Sequence, residues 1–238
     1  MINEFDNISV LKKLLACGNL PQNPSEYFDY FDEIAKILMN KCVISKGEIN
    51  YEIVEIEFYL FTHNHQDVIT YPRKIKPGQW FFHQSGVDLT FMSDENQFGG
   101  ILIRGLRKIS ADKRQIFGPQ KCVEELWDKF DALKLNTEDY PLITECCEIL
   151  ENKLTEYPRH ISTYGKNPNV KIEDWTARIP SIFKVNTSKE ERAKLVFDSK
   201  YRFFKMDSID QYDAIWRNYG GKPKTNQIVL SPSDYDLL

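Results

Sequence analysis

The chain has no long uncharged apolar run, only four histidines and five cysteines, and no excess of positive charge. The first absence excludes a membrane-spanning helix, which needs about 20 consecutive apolar residues. The mean hydropathy of -0.47 agrees. The cysteines are Cys17, Cys42, Cys122, Cys146 and Cys147. Their odd number and the lack of any C-x-x-C pair speak against a disulfide framework and a zinc ribbon, and for a reducing, cytoplasmic setting. Leu14-Leu15-Ala16-Cys17 has the look of a lipoprotein cleavage box, but Lys12 and Lys13 interrupt the apolar stretch that must precede it. With 11 Gly and 11 Pro the chain is neither collagen-like nor of low complexity. Gly-rich phosphate loops, a G-x-S-x-G elbow and a Cys–His signature are all missing, so no cofactor is called for.

What is present is ordinary globular material: 238 residues, 42% hydrophobic, with 15 Phe, 12 Tyr and 4 Trp. That length is ample for one self-sufficient core, and residues 1–238 read as a single domain. The net charge of -4 argues against a surface built to coat phosphate. It is unevenly spread, because residues 61–120 carry eight Lys and Arg against five Asp and Glu. That basic quarter suits a local anion-facing surface.

Periodicity predicts a helix capped at Ser25, with Tyr27, Phe31, Ile34 and Leu38 on one face. Short strands are expected at 41–45, 79–83, 87–92 and 100–106, with a long one at 50–61. Strict alternation in the long strand groups Tyr51, Ile53, Glu55, Glu57 and Tyr59 on one face. In the strand at 100–106 it sets Leu102, Arg104 and Leu106 opposite Ile101 and Ile103. A helix opens at Pro119, with Val123, Leu126, Trp127, Phe130 and Leu133 at core spacing. A second helix is expected at 142–154, a long surface loop at 155–175, and strands at 181–185 and 201–206. A short helix near 210–216 and a strand at 227–230 close the chain. Strands outnumber helices and come in runs, giving an α+β class with a mostly antiparallel sheet.

The long strand holds the most informative cluster. Glu55 and Glu57 on one sheet face lie about 7 Å apart, which suits acid–base work, and Tyr59 offers a flat ring beside them. A solvated outer face is the plain alternative. Arg104 sits in the apolar run Ile101–Leu106 and needs either a carboxylate or an oriented water; a buried ion pair would satisfy it equally well. His63, His65 and Asp67 share a polar loop, where histidines two apart are more often exposed than metal-bound. His83, near a turn, can line a pocket or make a core polar contact.

Ile53-Val54-Glu55-Ile56-Glu57-Phe58-Tyr59 resembles the I-V-E-T-E-A-Y strand of the alkyladenine (3-methyladenine) DNA glycosylase family. Further elements follow in the same order. They are Lys76-Pro77-Gly78 with Gly86, the strand Ile101–Leu106, Gly118-Pro119-Gln120-Lys121, Ala177-Arg178-Ile179-Pro180 and Tyr201-Arg202-Phe203-Phe204. The match runs over roughly 35–206, leaving the first 22 residues as an extension. It implies a curved, mostly antiparallel sheet flanked by helices, and hydrolysis of an N-glycosidic bond that frees a damaged purine from DNA without metal, cofactor, membrane or obligate protein partner.

By this resemblance Glu57 is the general base that activates water. Arg104 holds that water, with a backbone carbonyl near Ile182, and Tyr59 stacks on the flipped base. Glu55 is structural and Lys121, at a helix start with Gly118, meets DNA phosphate. Other positions depart from the family. Ser85 replaces the Tyr that wedges into the DNA stack, Tyr71 stands for the stacking His, and Phe82 or His83 for a second pocket Tyr. The base and its water are kept while the DNA-handling parts are rewritten, so another nucleoside, a single strand or binding without turnover are the alternatives.

Overall fold

The computed structural model describes residues 6–110, 113–128, 140–146, 152–159 and 168–209. Helix α1 (Asn7–Leu15) is capped by Asp6, whose carboxylate accepts the Ser9 N–H at 2.6 Å. Leu11 and Leu15 on its inner face are buried, so this helix is part of the core. A 3-10 turn over Pro24–Glu26 leads into α2 (Tyr27–Asn40). Ser25 lies inside that turn rather than capping the helix. Asn23 starts it instead, giving its N–H and side-chain amide to the Glu26 carboxylate at 3.3 and 2.8 Å. The face expected for α2 is the face buried: Tyr27, Phe31, Ile34 and Leu38 have no exposed surface. Each contributes about 1.5–3 kcal/mol of transfer free energy.

Next come β1 (Cys42–Lys46), a turn with Gly47 at φ +56°, and the long β2 (Ile49–Thr62). The hairpin β3 (Trp80–His83) and β4 (Gly86–Thr90) precedes β5 (Gln97–Lys108), β6 (Gln115–Phe117) and α3 (Pro119–Leu126). The chain continues through β7 (Leu142–Glu145), β8 (Leu154–Tyr157), α4 (Pro168–Thr176), α5 (Lys189–Asp198) and β9 (Arg202–Lys205). Every described strand pairing is antiparallel, and the sheet runs β3-β4-β5-β2-β1-β7 with β6, β8 and β9 branching from it. The fold is α+β, a curled antiparallel half-barrel with helix α2 packed on its main apolar face.

The central pair β2–β5 carries an irregularity that alternation does not show. Ile53 pairs Leu106 and Ile56 pairs Ile103, but between them only Glu55 and Gly105 are partnered, leaving Val54 and Arg104 without a Cα partner in the ladder. Both strands therefore change phase at the same place. Tyr51, Ile53, Ile56, Phe58 and Leu60 all join the core under α2, as do Ile101, Ile103 and Leu106. Strict alternation had placed Tyr51 and Ile53 with the glutamates and Leu106 with Arg104; the matched irregularity separates them. The outer edges divide nearby. The second edge of β2 pairs β1 through Tyr51 and β9 from Glu55, and that of β5 pairs β4 through Leu102 and β6 from Gly105. Gly105 is required at the crossing, since a Cβ there would stand 2.8 Å from the Glu55 Cβ.

Other expectations are corrected beyond this point. The helix expected at 142–154 is two strands: β7 lies along β1 and β8 along β9. Pro141 and the β-branched Ile143 and Thr144 favour an extended chain, and the open edge of β1 supplies its hydrogen-bond partners. The loop expected at 155–175 contains most of β8 and most of α4. Residues 181–185 form a turn, not a strand, with the Phe183 N–H on the Pro180 carbonyl. Helix α5 was not anticipated, although Ser188 and Glu191 form a reciprocal capping box at its start. Phe130, Leu133 and the elements expected at 210–216 and 227–230 lie outside the described residues.

His65 ties the turn after β2 into the core. Its ring stacks on Tyr27 at 4.3 Å, with Nδ1 2.6 Å from the Leu60 carbonyl and Nε2 3.0 Å from the Tyr201 hydroxyl. Burial lowers its pKa from 6.5 to about 4. The unfolded chain therefore takes up this proton near pH 6.5 while the folded chain does so only near 4. Between those values stability falls as the pH falls, by at most roughly 1.4 kcal/mol per unit from this group. Denaturant unfolding of wild type and His65→Phe at pH 7.5, 6 and 5 checks it. The gap between them should be widest at pH 7.5 and narrow toward pH 5; a gap independent of pH contradicts the assignment.

Candidate active site

The face of β2 turned away from α2 carries Glu55, Glu57 and Tyr59, and it is sealed rather than solvated. Glu55 is 1% exposed and Glu57 0%. Burying two carboxylates about 7 Å apart needs compensating charge, and two arginines from neighbouring strands supply it. Arg104, which alternation sets on this face with Leu102, places Nε 2.6 Å from Glu55 and Nη1 3.3 Å from Glu57. Arg202 of β9 places Nε 2.9 Å and Nη2 2.8 Å from Glu55, with Nε 3.6 Å from Glu57. For Arg104, burial disfavours the charge, yet Glu57 and Glu55 outweigh it and hold the guanidinium above its ordinary pKa. The ion-pair alternative for Arg104 is therefore what the fold contains, and it includes the candidate base itself.

Tyr59 completes the group. Its hydroxyl donates to Glu57 Oε2 at 2.7 Å. Desolvation first, and then the Glu57 charge, push its pKa well above the usual phenol, so it stays a neutral donor. The Tyr59 ring is half-buried, whereas Glu57 is enclosed. Arg159, which no sequence argument singled out, lies 4.9 Å over that ring. It is fully buried and grips Asp67 through two bonds of 2.5 and 2.9 Å, while also donating to the Phe58 carbonyl at 3.1 Å. Asp67 is thus committed to an arginine, and His65 to Leu60 and Tyr201. His63 is exposed. Among the described residues no group of three His, Cys, Asp or Glu side chains is placed to hold a metal ion.

The remaining candidates fall into two sets. His83 meets Asp88 of β4, and Tyr71 is linked to it only through its backbone and Arg73. The Tyr71 carbonyl accepts from Arg73 Nε at 3.1 Å, Arg73 pairs with Asp88 at 2.6 Å, and His83 Nε2 is 3.0 Å from the same carboxylate. Asp88, Leu102, Glu57 and Arg202 form one lateral row across four strands, so Asp88 and Glu57 share a face about 10 Å apart. Gly100, in the next row opposite Tyr59, makes room for Asp88, as a Cβ there would stand 2.7 Å from the Asp88 Cβ. Tyr71 itself is 55% exposed.

Ser85, Gly118 and Lys121 form the second set. Ser85 is exposed at the tip of the β3–β4 hairpin, and Gly86 beside it abuts Pro119 so closely that a Cβ would lie 2.8 Å from that ring. Gly118, at φ +110°, starts α3 and donates its N–H to the Arg104 carbonyl at 2.8 Å. The hairpin tip, the helix start and the Arg104 strand are thereby joined. Ile182 is not joined in this way. Its side chain is 65% exposed in the turn after Ile179, and the segment reaches the sheet through Phe183, packed on Phe61 and Phe98 beyond Tyr59.

No family model matches the chain, and no solved structure matches it. An uncharacterised protein of Acanthamoeba polyphaga mimivirus is similar to it, 28% identical over 133 residues, with 45% of this chain and 61% of the viral protein covered. The chain thus spans less than two thirds of that relative's length.

Asp67–Arg159 gives a direct check on how far this face depends on its buried charges. Arg159→Leu leaves a carboxylate uncompensated in the core and should cost about 3–5 kcal/mol in urea unfolding. A loss below about 1 kcal/mol contradicts the pairing.

Proposed function

We propose that the chain hydrolyses an N-glycosidic bond and releases a damaged purine, alkylated or deaminated, that is lifted out of DNA. The observation that carries this reading is the convergence of Glu57, Tyr59 and Arg104, with a Tyr59–Glu57 bond of 2.7 Å and an Arg104–Glu57 contact of 3.3 Å. It joins a carboxylate, an aromatic surface and a fixed cation on one sheet face. The family resemblance along β2 and β5 points the same way.

In this mechanism the half-buried Tyr59 ring receives the extruded base, since stacking recognises any base by its π face. Binding swings the Tyr59 hydroxyl away from Glu57 and admits a water. Glu57 takes a proton from that water as its oxygen bonds to C1′ of the sugar. The C1′–N bond breaks with its electron pair leaving on the base, which takes a proton from solvent. Arg104 holds the water and compensates the enclosed carboxylate through the other steps. Lys121, in the first turn of α3 after Gly118, meets the backbone phosphate, where helix amides and a cation coincide. A general base of this kind contributes about 10²–10⁴-fold.

Ser85 at the hairpin tip favours a second reading, in which the substrate is single-stranded. A hydroxymethyl group cannot fill the gap left by a base drawn from a duplex. A single strand needs no such plug.

Release of hypoxanthine and 3-methyladenine from duplex and single-stranded DNA tests both readings. Wild type should release base, and Glu57→Gln should lose at least about 100-fold while keeping its cooperative unfolding. Release from single strands alone selects the second reading. Equal rates in wild type and Glu57→Gln, or binding of DNA without any release, overturn the proposal.

A further inference from the structure

Away from Glu57 the fold leaves a cavity of about 520 Å³ between the start of α2, the turn at 63–66, helix α5 and the chain entering β9. That volume is in the range of small-molecule sites, about 300–1,000 Å³. Phe28, Leu195 and the Tyr201 ring line it with apolar surface. Its buried polar groups are already committed. Gln66 Oε1 accepts from the Asn186 and Thr187 N–H groups at 3.0 and 3.1 Å, and His65 is bonded on both nitrogens. The walls therefore have little left with which to bond a polar ligand core.

The mouth differs in charge. Lys194 and Lys200 both line it and both are exposed. Among the described residues neither forms an ion pair. Glu191, the carboxylate at the mouth, is held by the Ser188 N–H at 2.7 Å in the cap of α5. Arg192 adds a third cation, bonded to the Thr187 carbonyl and 3.8 Å from Glu173. An apolar chamber under a cationic mouth recognises an amphiphilic anion.

We propose that this cavity is a binding site for a small aromatic or aliphatic acid. The apolar body lies against Phe28, Leu195 and Tyr201, and the acidic group faces Lys194 and Lys200. Burial of the body supplies most of the affinity, and the lysines select the charge. Each solvent-exposed ion pair adds about 2- to 5-fold.

The probe is 8-anilinonaphthalene-1-sulfonate, an aromatic body with one sulfonate, compared with uncharged N-phenyl-1-naphthylamine. Under native conditions the sulfonate should bind one per chain, several-fold more tightly than the uncharged probe. The double variant K194Q/K200Q should weaken the sulfonate by about 10-fold and leave the uncharged probe unchanged. Leu195→Trp fills the chamber and should abolish both. Ser25→Trp, at an exposed position on the rim, does the same without touching the core. Glu57→Gln should bind like wild type, which keeps this site separable from the hydrolase reading. Binding unchanged in both tryptophan variants, several probes per chain, or equal affinity for the two probes overturns the proposal.

Discussion

The face of β2 turned away from α2, with the turn beyond it, is organised by the need to bury carboxylates. Glu55, Glu57 and Asp67 reach no solvent beyond 1% exposure, and each is met by at least one of Arg104, Arg202 and Arg159. An unpaired buried charge would cost several kcal/mol, a large part of the stability of an ordinary domain. The three arginines come from three separate places in the chain: β5, the residues after β8, and β9. Charge compensation therefore acts as a long-range staple. It fixes β9 against β2, the 63–70 turn against the C-terminal half, and β5 in its altered phase.

The same constraint gives the irregularity in β2–β5 a purpose. Had β5 kept strict alternation, Leu106 and Arg104 would share a face and the core under α2 would lose a side chain. The phase change lets Ile101, Ile103 and Leu106 fill that core while Arg104 meets two glutamates on the far side. Gly105 at the crossing and Gly100 beside Asp88 are small because side chains pass directly over them. A buried charge cluster and a packed core are thus built back to back on one strand pair.

Much of this was legible in the sequence, but not its geometry. The four-residue face of α2, the β3–β4 hairpin and the Glu55–Glu57–Tyr59 cluster follow from spacing, because local periodicity is a property of the segment itself. Arg104 was identifiable as an ion in an apolar strand. Arg202, between Tyr201 and Phe203, carries the same signal and its role was missed. Arg159 carries none, since its partner Asp67 is 92 residues away. The helix expected at 142–154 failed because the free edge of β1 outweighs weak helical spacing in a segment that follows Pro141. Helix α5 was missed although its Ser188–Glu191 box is a local signal, because its apolar residues show little helical periodicity.

The central claim is that charge compensation between buried Glu55 and Arg104 holds this face of the sheet together. A double-mutant cycle in urea unfolding, with Glu55→Gln, Arg104→Gln and the pair together, measures that coupling directly. The account predicts an interaction of at least about 1 kcal/mol, with the double variant less damaged than the two single losses imply. Additivity within about 0.3–0.5 kcal/mol would contradict it, leaving the arginine a bystander in the sheet.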